Sequence, residues 1–200
     1  MGSFTVLFVC YANMCRSPMA ERFAAHLWRE RFGAEADAVT FASAGTDAAD
    51  GISMVWGAAT VLAEHGADNT GFRSRTLTPK ILAGADLVLT ATREQRGECV
   101  TMLPEAMGRT FTLRQFGRLV TEVSDPALEL SHAGKSAVAV ATGPGDRLRW
   151  LVEQAPAARS RLQPVPPTDD DLADPVGQPI EVFRVCASEI RRVLDLIAAA

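Results

Sequence analysis

One stretch near the N-terminus limits the folds open to this chain: an apolar run, a short loop from Cys10 to Arg16, and a helix start. The run Thr5 to Val9 contains β-branched, aromatic and leucine side chains without polar alternation, which predicts a strand buried on both faces. Ser17 and Pro18 predict a helix opening, because a hydroxyl caps free N–H groups and proline tolerates the first helical turn. The sequence therefore predicts a strand, a tight loop and a helix in immediate succession.

The predicted loop has the features of an anion-binding site. It ends at a helix N-terminus, where unpaired N–H groups and the positive end of the helix dipole favour a negative charge. Arg16 supplies a planar fork that suits two phosphoryl oxygens, and Cys10, facing N–H donors and a guanidinium, is expected to be a reactive thiolate. The predicted phosphate-binding residues are Tyr11, Ala12, Asn13, Met14, Cys15, Arg16 and Ser17.

The pattern Cys-x5-Arg-Ser-Pro after a short N-terminal strand, with Asn13 inside the loop, resembles the low-molecular-weight protein tyrosine phosphatase family of the bacterial type. The resemblance continues in Ser-Pro-Met-Ala-Glu after the loop, in Ser-Ala-Gly-Thr at residues 43–46, and in Ala-Asp-Leu-Val-Leu at 85–89. It implies hydrolysis of a phosphomonoester through a cysteinyl-phosphate on Cys10, with no metal and no cofactor.

The resemblance also implies supporting roles for individual residues. Asn13 would brace the loop, Ser17 would hydrogen-bond to the sulfur of Cys10, and Ser43 would hydrogen-bond to Asn13. From the residues alone, these three polar side chains suit ordinary turn and capping positions as well. The resemblance also implies a reversible protective disulfide, as some relatives have, between Cys10 and Cys15. The alternative is that Cys15 packs under the loop.

The chemistry also requires a carboxylic acid opposite the cysteine, because a leaving alkoxide or phenoxide needs a proton. Two Asp-Pro pairs are candidates, at Asp125 and at Asp174. The second leads into a predicted helix from about Glu181 to Ala198, which is where the family has its acid, so the resemblance assigns the role to Asp174. Asp125 is the second choice. The acidic run at 169–171 is expected to be a solvated cluster.

Strands and helices alternate along the chain, which predicts a parallel sheet covered by helices. Further strands are predicted at Val39 to Ala42, Ala85 to Thr90 and Arg109 to Leu113. We expect one domain over 1–200 of the α/β class, a three-layer sandwich. Its four-stranded, mainly parallel sheet has helices on both faces and the phosphate loop after strand 1. The Ala-, Gly-, Pro- and Ser-rich segment at about 123–169 is expected to be an insertion relative to the family.

Composition narrows the classes of partner. A net charge of -4 gives no reason to expect nucleic acid or an anionic membrane. The chain lacks an apolar stretch of spanning length and a signal-peptide pattern, so a cytoplasmic protein is expected. Its four cysteines form neither a zinc pattern nor a disulfide framework. The expected partner is a phosphorylated protein or a small phosphorylated molecule, and the sequence does not indicate an oligomeric state.

Three positions depart from the family pattern and leave the substrate open. Ala12 stands where the family usually has glycine, Tyr11 where the side chain is often smaller, and Val176 where an aromatic residue is common. Trp56 is expected in the core rather than at the substrate mouth. The alternatives are an arsenate reductase on the same fold, a phosphatase for a small metabolite, and a non-catalytic phosphate-binding module.

Overall fold

The computed structural model describes residues 3–124 and 143–200. The strands are β1 Phe4–Cys10, β2 Val39–Gly45, β3 Leu87–Thr90 and β4 Thr110–Thr112. The helices are α1 Arg16–Phe32, α2 Trp56–Glu64, α3 Pro79–Ala83, α4 Arg93–Met102, α5 Leu113–Val123, α6 Pro144–Arg159, α7 Pro167–Asp170 and α8 Ile180–Ala199. Short 3-10 helices at Gly33–Ala38 and Pro104–Arg109 precede β2 and β4.

The four strands form one sheet in the order β2-β1-β3-β4, and all of these pairings are parallel. This confirms the predicted four-stranded sheet. In the register, Cys10 pairs with Gly45 of β2, and Val9 pairs with Thr90 of β3. The carboxyl ends of the three strands therefore meet at Cys10, which is the edge where parallel α/β sheets bind ligands.

Helices cover both faces of the sheet, as predicted. Successive side chains of a strand point to opposite faces, and β1 is apolar on both. Phe4, Val6 and Phe8 belong to a large core with buried residues of α1, α2, α5, α6 and α8. Leu7 and Val9 belong to a smaller core with buried residues of α3 and α4. A strand without polar alternation is therefore explained by two separate cores.

Part of the segment predicted to be an insertion belongs to the large core. Helix α6 buries Leu148, Leu151, Ala155 and Ala158 there. The rest of the chain as far as α8 includes the short helix α7. Residues 125–142 lie outside the described residues, so an insertion at 123–169 stays a prediction. Within the described part of the chain, no helix is both long enough and apolar enough to cross a membrane.

Candidate active site

The predicted loop joins the end of β1 to the start of α1. Helix α1 begins at Arg16, with Cys15 as its N-cap residue. Ser17 therefore lies inside the first turn and caps nothing, so its predicted capping role is wrong. Its hydroxyl instead lies 3.0 Å from the sulfur of Cys10. The eight residues from Cys10 to Ser17 thus contain the end of a strand, the start of a helix and a thiol bonded to a hydroxyl. The free N–H groups of the first helical turn lie beside them.

Asn13 holds the loop from inside. It is fully buried and has a φ of 53°, in the left-handed region that asparagine tolerates better than most residues. Its amide nitrogen donates to the hydroxyl oxygens of Ser17 and Ser43, each at 2.9 Å. Its amide oxygen accepts from the backbone N–H of Arg75 at 2.9 Å. The side chain thus ties the loop to α1, to β2 and to the segment before α3.

The turn after β2 lies directly against the loop. A Cβ on Gly45 would stand 2.4 Å from the carbonyl oxygen of Tyr11 and 2.8 Å from the backbone nitrogen of Asn13, so no larger residue fits. Thr46 donates its backbone N–H to the carbonyl of Cys10 at 3.0 Å, and Asp47 donates to the carbonyl of Tyr11 at 3.0 Å. The loop backbone is therefore fixed on the β2 side.

Arg16 lies beneath the loop and reaches the segment before α8. Its side chain is only 7% exposed. Nη1 donates to the carbonyl of Leu172 at 3.2 Å, and Nη2 donates to Oδ2 of Asp174 at 2.6 Å. Asp174 is half exposed, and its other carboxylate oxygen accepts from the N–H of Val176 at 3.1 Å. The structure thus brings the predicted acid to the predicted phosphate loop, whereas Asp125 lies outside the described residues.

The acidic run before Asp174 is not a solvated cluster, so that prediction is wrong. Asp170 is 1% exposed and forms ion pairs with Arg93 and Arg118. Asp171 accepts from the backbone N–H of Arg93 at 2.7 Å. Asp169 is exposed. The sequence held no indication of this ion cluster, because its two arginines stand on helices far from residue 170.

One exposed aromatic side chain belongs to the loop, and a second lies next to a residue that bonds to the loop. Tyr11 is half exposed and donates its hydroxyl to Asp47. This hydrogen bond raises the pKa of Tyr11, and the negative charges of Asp47, Glu98 and Glu94 act in the same direction. Trp56 is 74% exposed, so its predicted core position is wrong; it follows Val55, whose N–H donates to the carbonyl of Met14 in the loop.

The structure also brings a third thiol toward the site. All four cysteines are free and buried. Burial raises the pKa of Cys15, and the nearby Cys186 and Cys10 raise it further. Burial raises the pKa of Cys186 on α8 to about 12. Sequence reasoning missed Cys186, because only the folded chain places α8 beside the loop. The implied disulfide between Cys10 and Cys15 stays a prediction.

Comparison with known proteins decides the family. Residues 5–143 match the family model described as low molecular weight phosphotyrosine protein phosphatase. The chain belongs to this family. The predicted family and phosphatase activity are thereby confirmed.

Among its relatives in this phosphatase family, a protein-arginine-phosphatase of Geobacillus stearothermophilus is 30% identical over 195 residues, which cover 98% of this chain and 94% of that protein. The probable low molecular weight protein-tyrosine-phosphatase EpsP of Ralstonia nicotianae is 33% identical over 122 residues, covering 61% of this chain and 77% of that protein.

Solved structures of the family share the fold. The YwlE arginine phosphatase of Geobacillus stearothermophilus superposes with a TM-score of 0.66 at 28% identity, covering 98% of this chain and 91% of that chain. A low molecular weight protein tyrosine phosphatase from T. tengcongensis has a TM-score of 0.65 at 27% identity, covering 97% of both chains. The predicted α/β architecture is confirmed.

Proposed function

We propose that this phosphatase hydrolyses phosphorylated side chains of proteins, with Cys10 as nucleophile, Arg16 as phosphate ligand and Asp174 as general acid. The observation that carries the proposal is the meeting of these three side chains at the carboxyl edge of the sheet. The sulfur lies at the end of β1, the guanidinium at the start of α1, and the carboxylate 2.6 Å from that guanidinium. This arrangement supports the proposed division of roles.

The first step transfers the phosphoryl group to the enzyme. The substrate dianion binds the loop N–H groups and the Arg16 guanidinium. The Cys10 thiolate attacks phosphorus in line, an S–P bond forms, and the bond from phosphorus to the leaving group breaks. Protonated Asp174 gives its proton to the leaving atom. The products are the free side chain, a cysteinyl-phosphate and an ionised Asp174.

The second step regenerates the thiolate. The Asp174 carboxylate takes a proton from a water molecule, whose oxygen attacks phosphorus as the S–P bond breaks. The leaving group is now the sulfur of Cys10, and the Ser17 hydroxyl at 3.0 Å is positioned to hydrogen-bond to its developing charge. Inorganic phosphate leaves, and Asp174 is protonated again.

The guanidinium of Arg16 retains capacity for a phosphoryl group. Nη1 and Nη2 are bonded to Leu172 and Asp174. Nε is buried and has no hydrogen-bond partner within residues 3–124 and 143–200. The Nε atoms of Arg22, Arg118 and Arg159 also lack a hydrogen-bond partner among the described residues. The Nε of Arg16 therefore supports the proposal only through its place at the loop, where leaving a buried donor unpaired costs about 1–3 kcal/mol. An anion over the loop would satisfy it.

Phosphotyrosine is the proposed substrate residue, and phosphoarginine is the second candidate. The half-exposed ring of Tyr11 beside the nucleophile suits a planar phosphorylated side chain. Phosphoarginine is favoured by a different observation. The similarity to the protein-arginine-phosphatase covers 98% of the present chain. In that substrate the bond broken is N–P, and Asp174 would protonate a guanidino nitrogen.

The test is phosphate release from an aryl phosphate, without added metal, by wild type, Cys10→Ser and Asp174→Asn. We expect no activity after the first change and a loss of about 10²–10⁴ after the second, because a general acid contributes a factor of that size. Asp169→Asn is the matched control, since Asp169 is an exposed aspartate nearby. Folded, reduced wild type without phosphatase activity would overturn the proposal. Matched phosphotyrosine and phosphoarginine peptides then separate the two substrate residues.

A further inference from the structure

Asp170 is the most deeply buried carboxylate near the site, and two helices hold it. Arg93, the first residue of α4, donates from Nε at 2.8 Å and from Nη2 to the same oxygen, Oδ2. Arg118 on α5 places Nη1 2.6 Å from Oδ1. Oδ2 is therefore hydrogen-bonded to Arg93, and Oδ1 forms an ion pair with Arg118. Charged pairs of this kind fix orientation as well as position.

A short stretch of backbone, hydrogen-bonded at Leu172, leads from Asp170 to the site. Leu172, two residues farther along, donates its N–H to the carbonyl of Ala91 at 2.9 Å, just beyond the end of β3. Its carbonyl accepts from Nη1 of Arg16 at 3.2 Å. Asp174 is two residues beyond Leu172 and bonds to the same guanidinium. The backbone between Asp170 and Asp174 is thus fixed at the ion cluster and again beneath the loop.

We propose that the ion cluster of Asp170, Arg93 and Arg118 positions Asp174 for proton transfer. The inference rests on the proposed role of Asp174 as the general acid. Asp170 is a positioning residue: it touches no reacting atom and acts by fixing the segment that carries the acid. A proton donor misplaced by 1 Å can lose about 10²-fold in rate, so a segment anchored close to the acid matters for the proton-transfer step.

The choice of residues supports positioning over stability alone. Moving the Asp170 carboxylate out of water costs energy that its attraction to two partly exposed arginines only partly returns, and an apolar residue of equal volume often stabilises a fold as well. Such a cluster does restrict the carboxylate, because Arg93 of α4 holds Oδ2 and Arg118 of α5 pairs with Oδ1. The ion cluster joins α4 and α5 to the segment before α8. Between α7 and α8 that segment has no regular secondary structure.

The test compares two substrates that differ in their need for an acid. Phenyl phosphate has a poor leaving group that requires protonation, whereas 2,4-dinitrophenyl phosphate has a good one that does not. For Asp170→Asn we expect kcat/KM to fall about ten-fold with phenyl phosphate and less than about two-fold with the dinitrophenyl ester. Equal losses with both esters in a folded variant would indicate a purely structural role and overturn the inference.

Glu122→Gln is the matched control. Glu122 on α5 bonds to Arg161, which lies in the same connecting segment, at 3.0 Å, but this pair is exposed and lies earlier in the chain. We expect neither ester to be affected. A leaving-group-dependent loss in Glu122→Gln equal to that in Asp170→Asn would overturn the inference, because the ion cluster would then have no special part.

Two further variants keep the test decisive if Asp170→Asn does not fold. Arg118→Gln leaves Asp170 paired with Arg93 and is expected to show a smaller loss confined to phenyl phosphate. Arg118→Lys restores a positive charge and is expected to recover part of it. Asp174→Asn tests the foundation separately: if it loses no more activity on phenyl phosphate than on the dinitrophenyl ester, the proposed acid is wrong. If Asp174→Asn loses more activity on phenyl phosphate than on the dinitrophenyl ester, but the folded Asp170 and Arg118 variants do not, only the positioning inference fails.

Discussion

Arg16 and Asp174, separated by 158 positions in the chain, are joined by a hydrogen bond of 2.6 Å between Nη2 and Oδ2. The two partners differ in freedom, because the Arg16 side chain is 7% exposed and that of Asp174 is 49% exposed. The carboxylate can therefore rotate away while the guanidinium stays beneath the loop. A phosphate dianion and Asp174 are expected to compete for one donor.

Removal of this competitor should tighten phosphate binding. The ion pair is open to solvent on the Asp174 side, which limits its worth to about 1 kcal/mol, so Asp174→Ala should lower the dissociation constant of inorganic phosphate by about five-fold, although catalysis is lost. Isothermal titration with phosphate measures this directly in the inactive protein. Asp169→Ala, at an exposed position, is expected to leave the affinity unchanged. Weaker phosphate binding in Asp174→Ala would show that the carboxylate does not compete for Arg16.

Gly45 should tolerate no side chain. In Gly45→Ala the new Cβ would meet the carbonyl oxygen of Tyr11 at 2.4 Å and the nitrogen of Asn13 at 2.8 Å, and both are backbone atoms. The loop must shift, so we expect a loss of about 2 kcal/mol or more in the free energy of unfolding, together with a large fall in kcat/KM. Urea denaturation and aryl phosphate hydrolysis measure the two effects.

Gly97 provides the opposite control. It lies within α4, and a Cβ there would meet nothing within 4 Å. Gly97→Ala should raise the free energy of unfolding by about 0.5–1 kcal/mol, because alanine is the better helix former. Its activity should be unchanged. If Gly45→Ala behaved like Gly97→Ala, the close approach of β2 to the loop would not exist in solution.

The Tyr11 phenol should titrate above its ordinary pKa. It donates to Asp47, and a negative charge that accepts this hydrogen bond favours the neutral phenol, which raises the pKa of Tyr11. Tyr11 is the only tyrosine of the chain, so phenolate absorbance near 295 nm reports this group alone. Asp47→Asn should move the transition to lower pH, with a smaller movement for Glu98→Gln. Coincident curves for wild type and Asp47→Asn would contradict the hydrogen bond.

Local sequence was sufficient for much of the fold. The strand ending at Cys10 and the closing helix α8 were predicted within a few residues, because apolar runs and helical periodicity depend on near neighbours. Ser17 shows the limit of local sequence. Its hydroxyl suits a helix cap, yet α1 already begins at Arg16, and the hydroxyl lies against the sulfur of Cys10. Trp56 is apolar and aromatic, but its place at the start of α2 leaves it exposed.

The site depended more on contacts between distant parts of the chain. Asp174 was assigned by resemblance, since no local pattern brings it to Arg16. Asp170 had the same local pattern as its exposed neighbour Asp169, and only α4 and α5 distinguish the two. Burial and ion pairing depend on tertiary contacts. From sequence alone, a run of aspartates therefore predicts exposure to solvent, because acidic side chains are mostly exposed.

Asn13 allows the backbone and side-chain contributions to the loop to be separated. Asn13→Gly keeps the left-handed backbone without strain but loses the three hydrogen bonds to Ser17, Ser43 and Arg75. A hydrogen bond contributes about 0.5–1.5 kcal/mol net, so the loss of three should lower the free energy of unfolding by about 1.5–4.5 kcal/mol. Asn13→Ala loses the same bonds and adds about 1–2 kcal/mol of strain, because a Cβ disfavours this conformation.

The difference between the two Asn13 variants is therefore the measurement of interest. Urea denaturation of both should place Asn13→Ala below Asn13→Gly, and aryl phosphate hydrolysis should fall in the same order, since the loop N–H groups must stay aligned on one phosphate. Ser43→Ala removes one of the three bonds of Asn13, together with the hydrogen bond from Ser43 to Glu21, and should lie between wild type and Asn13→Gly. Equal stability of the alanine and glycine variants would mean that the loop leaves the left-handed conformation once the amide is gone, and that the hydrogen bonds of Asn13 alone impose it.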